Sequence, residues 1–100
     1  MRELGRAEEA LESCEQAVRF APADATARYE RGLIFFLLHR YSNAVADFAA
    51  TTRACPDDAN AFFNCARALQ ELGHLEEALA VYDRAAALDP ANAGIQHNRA

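Results

Sequence analysis

Three prolines, Pro22, Pro56 and Pro90, stand 34 residues apart in a chain of 100 residues. A fixed period of that size describes a stack of similar units and limits the possible folds before any local propensity is weighed. The repetition extends to whole phrases. Leu4-Gly5-Arg6-Ala7-Glu8-Glu9-Ala10-Leu11 matches Leu72 to Leu79 at six of eight positions, and both run on to a proline. Between Gly73 and Pro90 the apolar residues Leu75, Ala78, Leu79, Tyr82, Ala85 and Ala86 recur at steps of three and four, the spacing of one helical face. Alanine, the strongest helix former, is abundant, and β-branched aliphatics are few (Val18, Ile34, Val45, Val81 and Ile95). The chain is therefore expected to be all-α.

The period sets the punctuation. Asp24, Asp58 and Asn92 each follow a proline by two residues, and each can accept a hydrogen bond from the first turn of a new helix. Helices are expected over Arg6–Phe20 (after a Leu4-Gly5 turn), Ala25 to about Leu38, Tyr41–Ala54, Ala59–Glu71 and Leu75–Leu88, with another starting at Ala93. The first should turn Ala10, Leu11, Cys14, Ala17 and Val18 inward; the third, Ala44, Val45, Phe48 and Thr51. Gly32, Ala66 and Ala100 share one phase. Small residues alone at that place point to close approach of a neighbouring helix, since a mid-helix glycine costs up to about 1 kcal/mol against alanine. Gly73 suits the left-handed conformation that closes a helix.

Composition removes several functions. The net charge is −5 and all ten basic residues are arginine, scattered along the chain; such a surface repels phosphate backbones, so nucleic acid is not an expected partner. The longest apolar run, Leu33–Leu38, is too short for a membrane span, and the residues after Met1 do not read as a signal peptide. Cys14, Cys55 and Cys65 lack metal or redox spacing and read as small apolar residues in a reducing compartment, most simply the cytoplasm. His39, His74 and His97 lack zinc-ligand spacing. Glu8-Glu9 and Glu76-Glu77 sit in first turns, where the helix dipole favours them. With neither a phosphate loop nor a nucleophile motif present, no catalytic residue, metal or cofactor is expected.

Taken in register, Gly32/Ala66, Phe35/Leu69, Ala44/Ala78, Phe48/Tyr82 and Pro56/Pro90 resemble the tetratricopeptide repeat (TPR). The likeness covers the whole chain as one domain: a trailing helix (1–24), full repeats at 25–58 and 59–92, and the start of another at 93–100. It departs at Arg28, where Phe62 is the more usual aromatic, and at Thr51, where Ala85 is the more usual small residue. The resemblance implies antiparallel helix pairs stacked as a right-handed solenoid, each pair covering an apolar face its neighbour leaves open. It also implies that a protein or extended peptide binds along the concave face of the first helices. That face would hold Tyr29, Glu30, Leu33, Phe36 and Leu37, then Asn60, Phe63, Asn64 and Arg67, then His97 and Asn98.

Within that face, Phe36 and Leu37 would be apolar anchors, with cover by a neighbouring repeat as the competing reading. Asn64 and Asn98, one period apart, are similar to the asparagine ladder of O-GlcNAc-transferase arrays, broken at Glu30; solvated polar residues are the competing reading. Carboxylate-clamp TPRs pair lysine with asparagine, and this chain has no lysine, although Arg67 beside Asn64 could meet a carboxylate through its planar fork. Three functions follow: a peptide-binding scaffold, a module that self-associates through exposed repeat ends, or a substrate-presenting segment of a larger enzyme such as a glycosyltransferase.

Overall fold

The computed structural model describes residues 2–89, with side chains from Gly5 onward. Five helices follow one another: α1 (Arg2–Phe20), α2 (Ala25–Leu37), α3 (Tyr41–Ala54), α4 (Ala59–Glu71) and α5 (Leu75–Leu88). Each packs on the next, and α2 also touches α4. The helices thus form two layers, α2 and α4 in one and α1, α3 and α5 in the other. The expected positions Asn92, Ala93–Ala100, His97 and Asn98 lie outside the described residues.

The punctuation repeats at atomic detail. Asp24 accepts from the Thr26 amide at 2.9 Å, and Asp58 accepts from the amides of Asn60 and Ala61 at 3.1 and 3.2 Å. Both caps satisfy first-turn donors that would otherwise have no intrahelical partner. The α2–α3 and α4–α5 turns share one pattern: Arg40 and His74 amides reach back to the carbonyls of Phe35 and Leu69 at 2.8 and 2.9 Å. Both turns need a left-handed residue. Gly73 supplies it at φ 85°, and His39 does so at φ 62°, against the steric preference of a residue with a Cβ. The hydrogen bond between His39 Nδ1 and the Tyr41 hydroxyl, 2.7 Å, holds the histidine there.

Three expectations are corrected. First, α1 runs through Leu4-Gly5 without a turn. The same words turn the chain at Leu72-Gly73, where Gly73 takes φ 85° and α5 packs back on α4; a glycine inside a helix costs about 1 kcal/mol and is tolerated in α1. Second, α1 buries Ala7 and Leu11 and leaves Ala17 exposed, while α3 buries Asp47 and leaves Val45 half-buried. Each inward arc is set by where the neighbouring helix lies. Third, Leu75 and Leu79 lie on the predicted face of α5 yet are 63% and 51% exposed. Their counterparts two periods earlier, Ala7 and Leu11, are 4% and 7% exposed because α2 covers α1.

The core follows the repeat. Phe48 is fully buried, and it belongs to one core cluster with Phe35, Ala44, Cys65, Ala66, Leu69, Ala78 and Tyr82 that runs from α2 to α5. A Cβ added at Gly32 would lie 2.8 and 3.0 Å from Phe48 ring carbons and 3.2 Å from Asp47 Cβ. The expected close approach at this phase is therefore real, and α3 is the helix that approaches.

Candidate functional site

Because α2 and α4 share a layer and touch, side chains at matching phases of the two helices face the same way. Tyr29 leaves α2 with its ring 5.7 Å from that of Phe48, so the core sets its direction. Its hydroxyl accepts a 2.7 Å hydrogen bond from Asn64 Nδ2 on α4. Burial is the main cause that raises the Tyr29 phenol above its usual range; the Asp58 charge adds to the rise and the Asn64 bond opposes it. The phenol therefore keeps its proton at neutral pH.

Arg67, one turn beyond Asn64, donates to Asn64 Oδ1 at 3.4 Å. Its guanidinium carbon lies 4.7 Å from the centre of the Phe36 ring and 5.8 Å from that of Phe63. Phe36 is steadied from behind by Tyr41, edge-on at 5.1 Å, and Phe63 by Tyr82 at 5.8 Å. Tyr82 in turn donates to Gln70 Oε1 at 2.9 Å. Five of the face residues anticipated from the sequence, Tyr29, Phe36, Phe63, Asn64 and Arg67, thus form one connected cluster across the two helices.

Leu33 and Leu37 are exposed on α2 one turn apart, and Glu30 and Asn60 are exposed at the start of the same face. Asn64 is not a free ladder rung, since both ends of its amide are engaged within the chain. The face combines apolar rings, a leucine pair, an amide and a cation. It can meet an extended chain by side-chain contact and hydrogen bonding.

Sequence reasoning missed the pair behind this face. Arg31 on α2 meets Asp47 on α3 in a two-pronged bridge, Nε to Oδ2 at 2.8 Å and Nη2 to Oδ1 at 2.7 Å. The Thr51 hydroxyl donates to the Asp47 carbonyl at 2.9 Å. The hydrogen bond to Asp47 is the main cause that raises the Arg31 pKa. The available signal was an acid at the core phase of α3, which the period alone does not pair with an arginine 16 residues away.

No cluster of three metal-ligating side chains occurs among the described residues, and no described helix is long and apolar enough to cross a membrane. Cys14, Cys55 and Cys65 are free thiols. Burial, with a smaller push from Glu77, lifts Cys65 to about 11, and burial chiefly raises Cys14. Neither is an activated thiolate.

Comparison with known proteins agrees with this architecture. A family model described as tetratricopeptide repeat matches residues 2–63, and another, described as TPR repeat, matches residues 67–100. An Hsp70-Hsp90 organizing protein of Triticum aestivum is 36% identical over 92 residues, covering 92% of this chain and 16% of the relative. U-box domain-containing protein 70 of Oryza sativa subsp. japonica is 36% identical over 87 residues, covering 87% of this chain and 11% of the relative. The chain therefore spans a small fraction of these relatives.

Among solved structures, the first TPR of Spaghetti (RPAP3), bound to the HSP90 peptide SRMEEVD, superposes with a TM-score of 0.91 at 22% identity. That match covers 97% of this chain and 77% of that one. YrrB, a TPR protein with an unusual peptide-binding site, gives 0.90 at 27% identity, with 97% and 50% covered. These relatives lend no support to the likeness with O-GlcNAc-transferase arrays.

Proposed function

The chain belongs to the tetratricopeptide repeat family, and from that premise we propose that it is a non-catalytic scaffold that binds an extended peptide segment along the α2/α4 face. The observation that carries the reading is the Tyr29–Asn64–Arg67–Phe36 cluster, which ties two successive repeats into one preformed surface. Preorganisation lowers the entropy lost when a flexible peptide is ordered. Leu33 and Leu37 supply apolar contact, and Glu30, Asn60 and Phe63 line the same face; His97 and Asn98 would extend it by one period. The units are the repeats 25–58 and 59–92, with 1–24 and 93–100 as parts of neighbouring repeats. The Hsp70-Hsp90 organizing protein among the relatives and the structural neighbour bound to an HSP90 peptide support a peptide partner. The free thiols suit a reducing compartment, the cytoplasm.

The test is selection of random heptapeptides on the chain, followed by mapping on 15N-labelled protein. Retained peptides should shift the amides of Tyr29, Leu33, Leu37, Asn64 and Arg67, and leave the outer face of α3 unmoved. Leu37→Ala should weaken binding about tenfold, the worth of a buried leucine contact, and Asn64→Ala should weaken it by a similar amount, about tenfold, through the loss of the bonds that seat Tyr29 and Arg67. Peptides that bind the double variant as tightly as the parent would remove the groove.

A further inference from the structure

Phe36 on α2 and Gln70 on α4 stand 34 positions apart, at one phase of the repeat. Each is held by a tyrosine from the α1/α3/α5 layer, but the two tyrosines are not counterparts. Gln70 is fixed from the core, where the Tyr82 hydroxyl donates to its Oε1 at 2.9 Å. One period before Tyr82 stands Phe48, which has no hydroxyl to give. Phe36 instead meets the ring of Tyr41, edge-on at 5.1 Å.

Tyr41 is the first residue of α3, and that helix start lacks a side-chain cap. The Asp24 and Asp58 carboxylates cap α2 and α4, whereas Arg40 makes no side-chain cap bond at the head of α3. A first turn without a cap is prone to fray. His39 supplies the missing restraint. Its Nδ1 and the Tyr41 hydroxyl share a 2.7 Å hydrogen bond, and the two rings lie edge to face at 5.6 Å. The imidazole reaches that place from a backbone at φ 62°. One period later Gly73 takes φ 85°, and the counterpart of Tyr41 is Leu75, a side chain without a hydrogen-bonding atom. The first repeat thus puts a residue with a Cβ where the second puts glycine, and the imidazole is what it gains. Strain of this kind persists where the surroundings over-determine it, and it gathers at sites that function keeps rigid.

We infer that His39, acting through Tyr41, is a positioning residue of the groove: it sets the Phe36 ring against the Arg67 guanidinium and so fixes the apolar surface a peptide meets. This rests on the groove reading above and adds to it a residue outside the face. The relay runs from His39 Nδ1 to the Tyr41 hydroxyl, from the Tyr41 ring to the Phe36 ring, and from that ring to Arg67 at 4.7 Å. The strain falls on the fold and the benefit on binding, so stability and affinity should separate on mutation.

His39→Gly removes the imidazole and the left-handed strain together. Its melting temperature by circular dichroism should lie no more than about 3 °C below the parent's, because relief of the strain offsets the lost hydrogen bond. Its affinity for heptapeptides that the parent retains, measured by fluorescence anisotropy, should fall about fivefold, because Phe36 is no longer preorganised. Tyr41→Phe keeps the ring and loses the hydroxyl; it should show the same loss, and the double variant should be no weaker than either single. The Arg67 Nε–H proton resonance reports the ring without any peptide present. In the parent the Phe36 ring current should shift it upfield, and both variants should move it toward that of a solvated arginine. Leu37→Ala should weaken binding and leave that resonance in place. With peptides bound by the parent, any of four results overturns the inference and leaves the groove reading standing: an unmoved Arg67 resonance, unchanged affinity in both variants, additive losses, or a loss of affinity that appears only with a larger fall in melting temperature. Retention of no peptide by the parent overturns both.

Discussion

Replacing Phe48 by alanine is expected to cost about 3–5 kcal/mol of unfolding free energy, measured by urea denaturation. Phe48 is the large side chain that is wholly enclosed among the described residues, and it lies where α2, α3 and the Tyr29 ring meet. A domain of this size has about 5–15 kcal/mol in all, so the loss is a large share of the total. The effect should be coupled to Gly32. In the parent, Gly32→Ala sets a methyl 2.8 Å from the Phe48 ring. The overpacking cost of about 1–3 kcal/mol then exceeds the helix-propensity gain of about 1 kcal/mol. With Phe48→Leu the ring carbons are gone, and Gly32→Ala should become neutral or stabilising. A double-mutant cycle measures the coupling; strict additivity would show that the close approach has no energetic consequence. Since Tyr29 rests on Phe48, the same core variant should also loosen the groove and weaken peptide binding.

The Arg31–Asp47 bridge should give the second large effect. Asp47 keeps 4% of its side chain exposed and Arg31 23%. Truncating one partner of a fully buried pair costs about 3–5 kcal/mol. Because Arg31 retains contact with water, Asp47→Leu should cost less, about 2–4 kcal/mol. Arg31→Met should cost at least as much, since it strands the more deeply buried carboxylate. The double change Arg31→Met with Asp47→Leu should recover most of the loss, because no uncompensated charge then remains in the core. Thermal unfolding of the three variants decides it. A double variant as unstable as the sum of the singles would mean that packing, not charge pairing, sets the value of the bridge.

Both predictions concern the contact between α2 and α3, and both bear on the groove. Gly32 lets α3 approach, the bridge pins α2 against it, and Tyr29 and Phe36 project from α2 toward α4. The reach of the Tyr29 hydroxyl to Asn64 at 2.7 Å depends on that seating.

Much of this was legible in the residues. The 34-residue spacing of proline, the Asp24 and Asp58 caps and the three-and-four spacing of apolar residues are local properties, written into consecutive positions. They determined five helices with ends within a residue or so of those observed, α1's start excepted; it was the resemblance to the tetratricopeptide repeat that put Tyr29, Phe36, Phe63, Asn64 and Arg67 on one face. Packing decided what local rules could not. Leu-Gly-x-x-Glu-Glu-Ala-Leu is continuous helix in α1 and a turn before α5, where Gly73 takes φ 85° and α5 packs back on α4. Leu11 is buried and Leu79 exposed at the same phase, because burial depends on which helix lies opposite. Arg31 finds Asp47 and Arg67 finds two rings, although nothing in the spacing of the arginines tells them apart. A helical period says which way a side chain points; only the neighbouring helix determines what it meets.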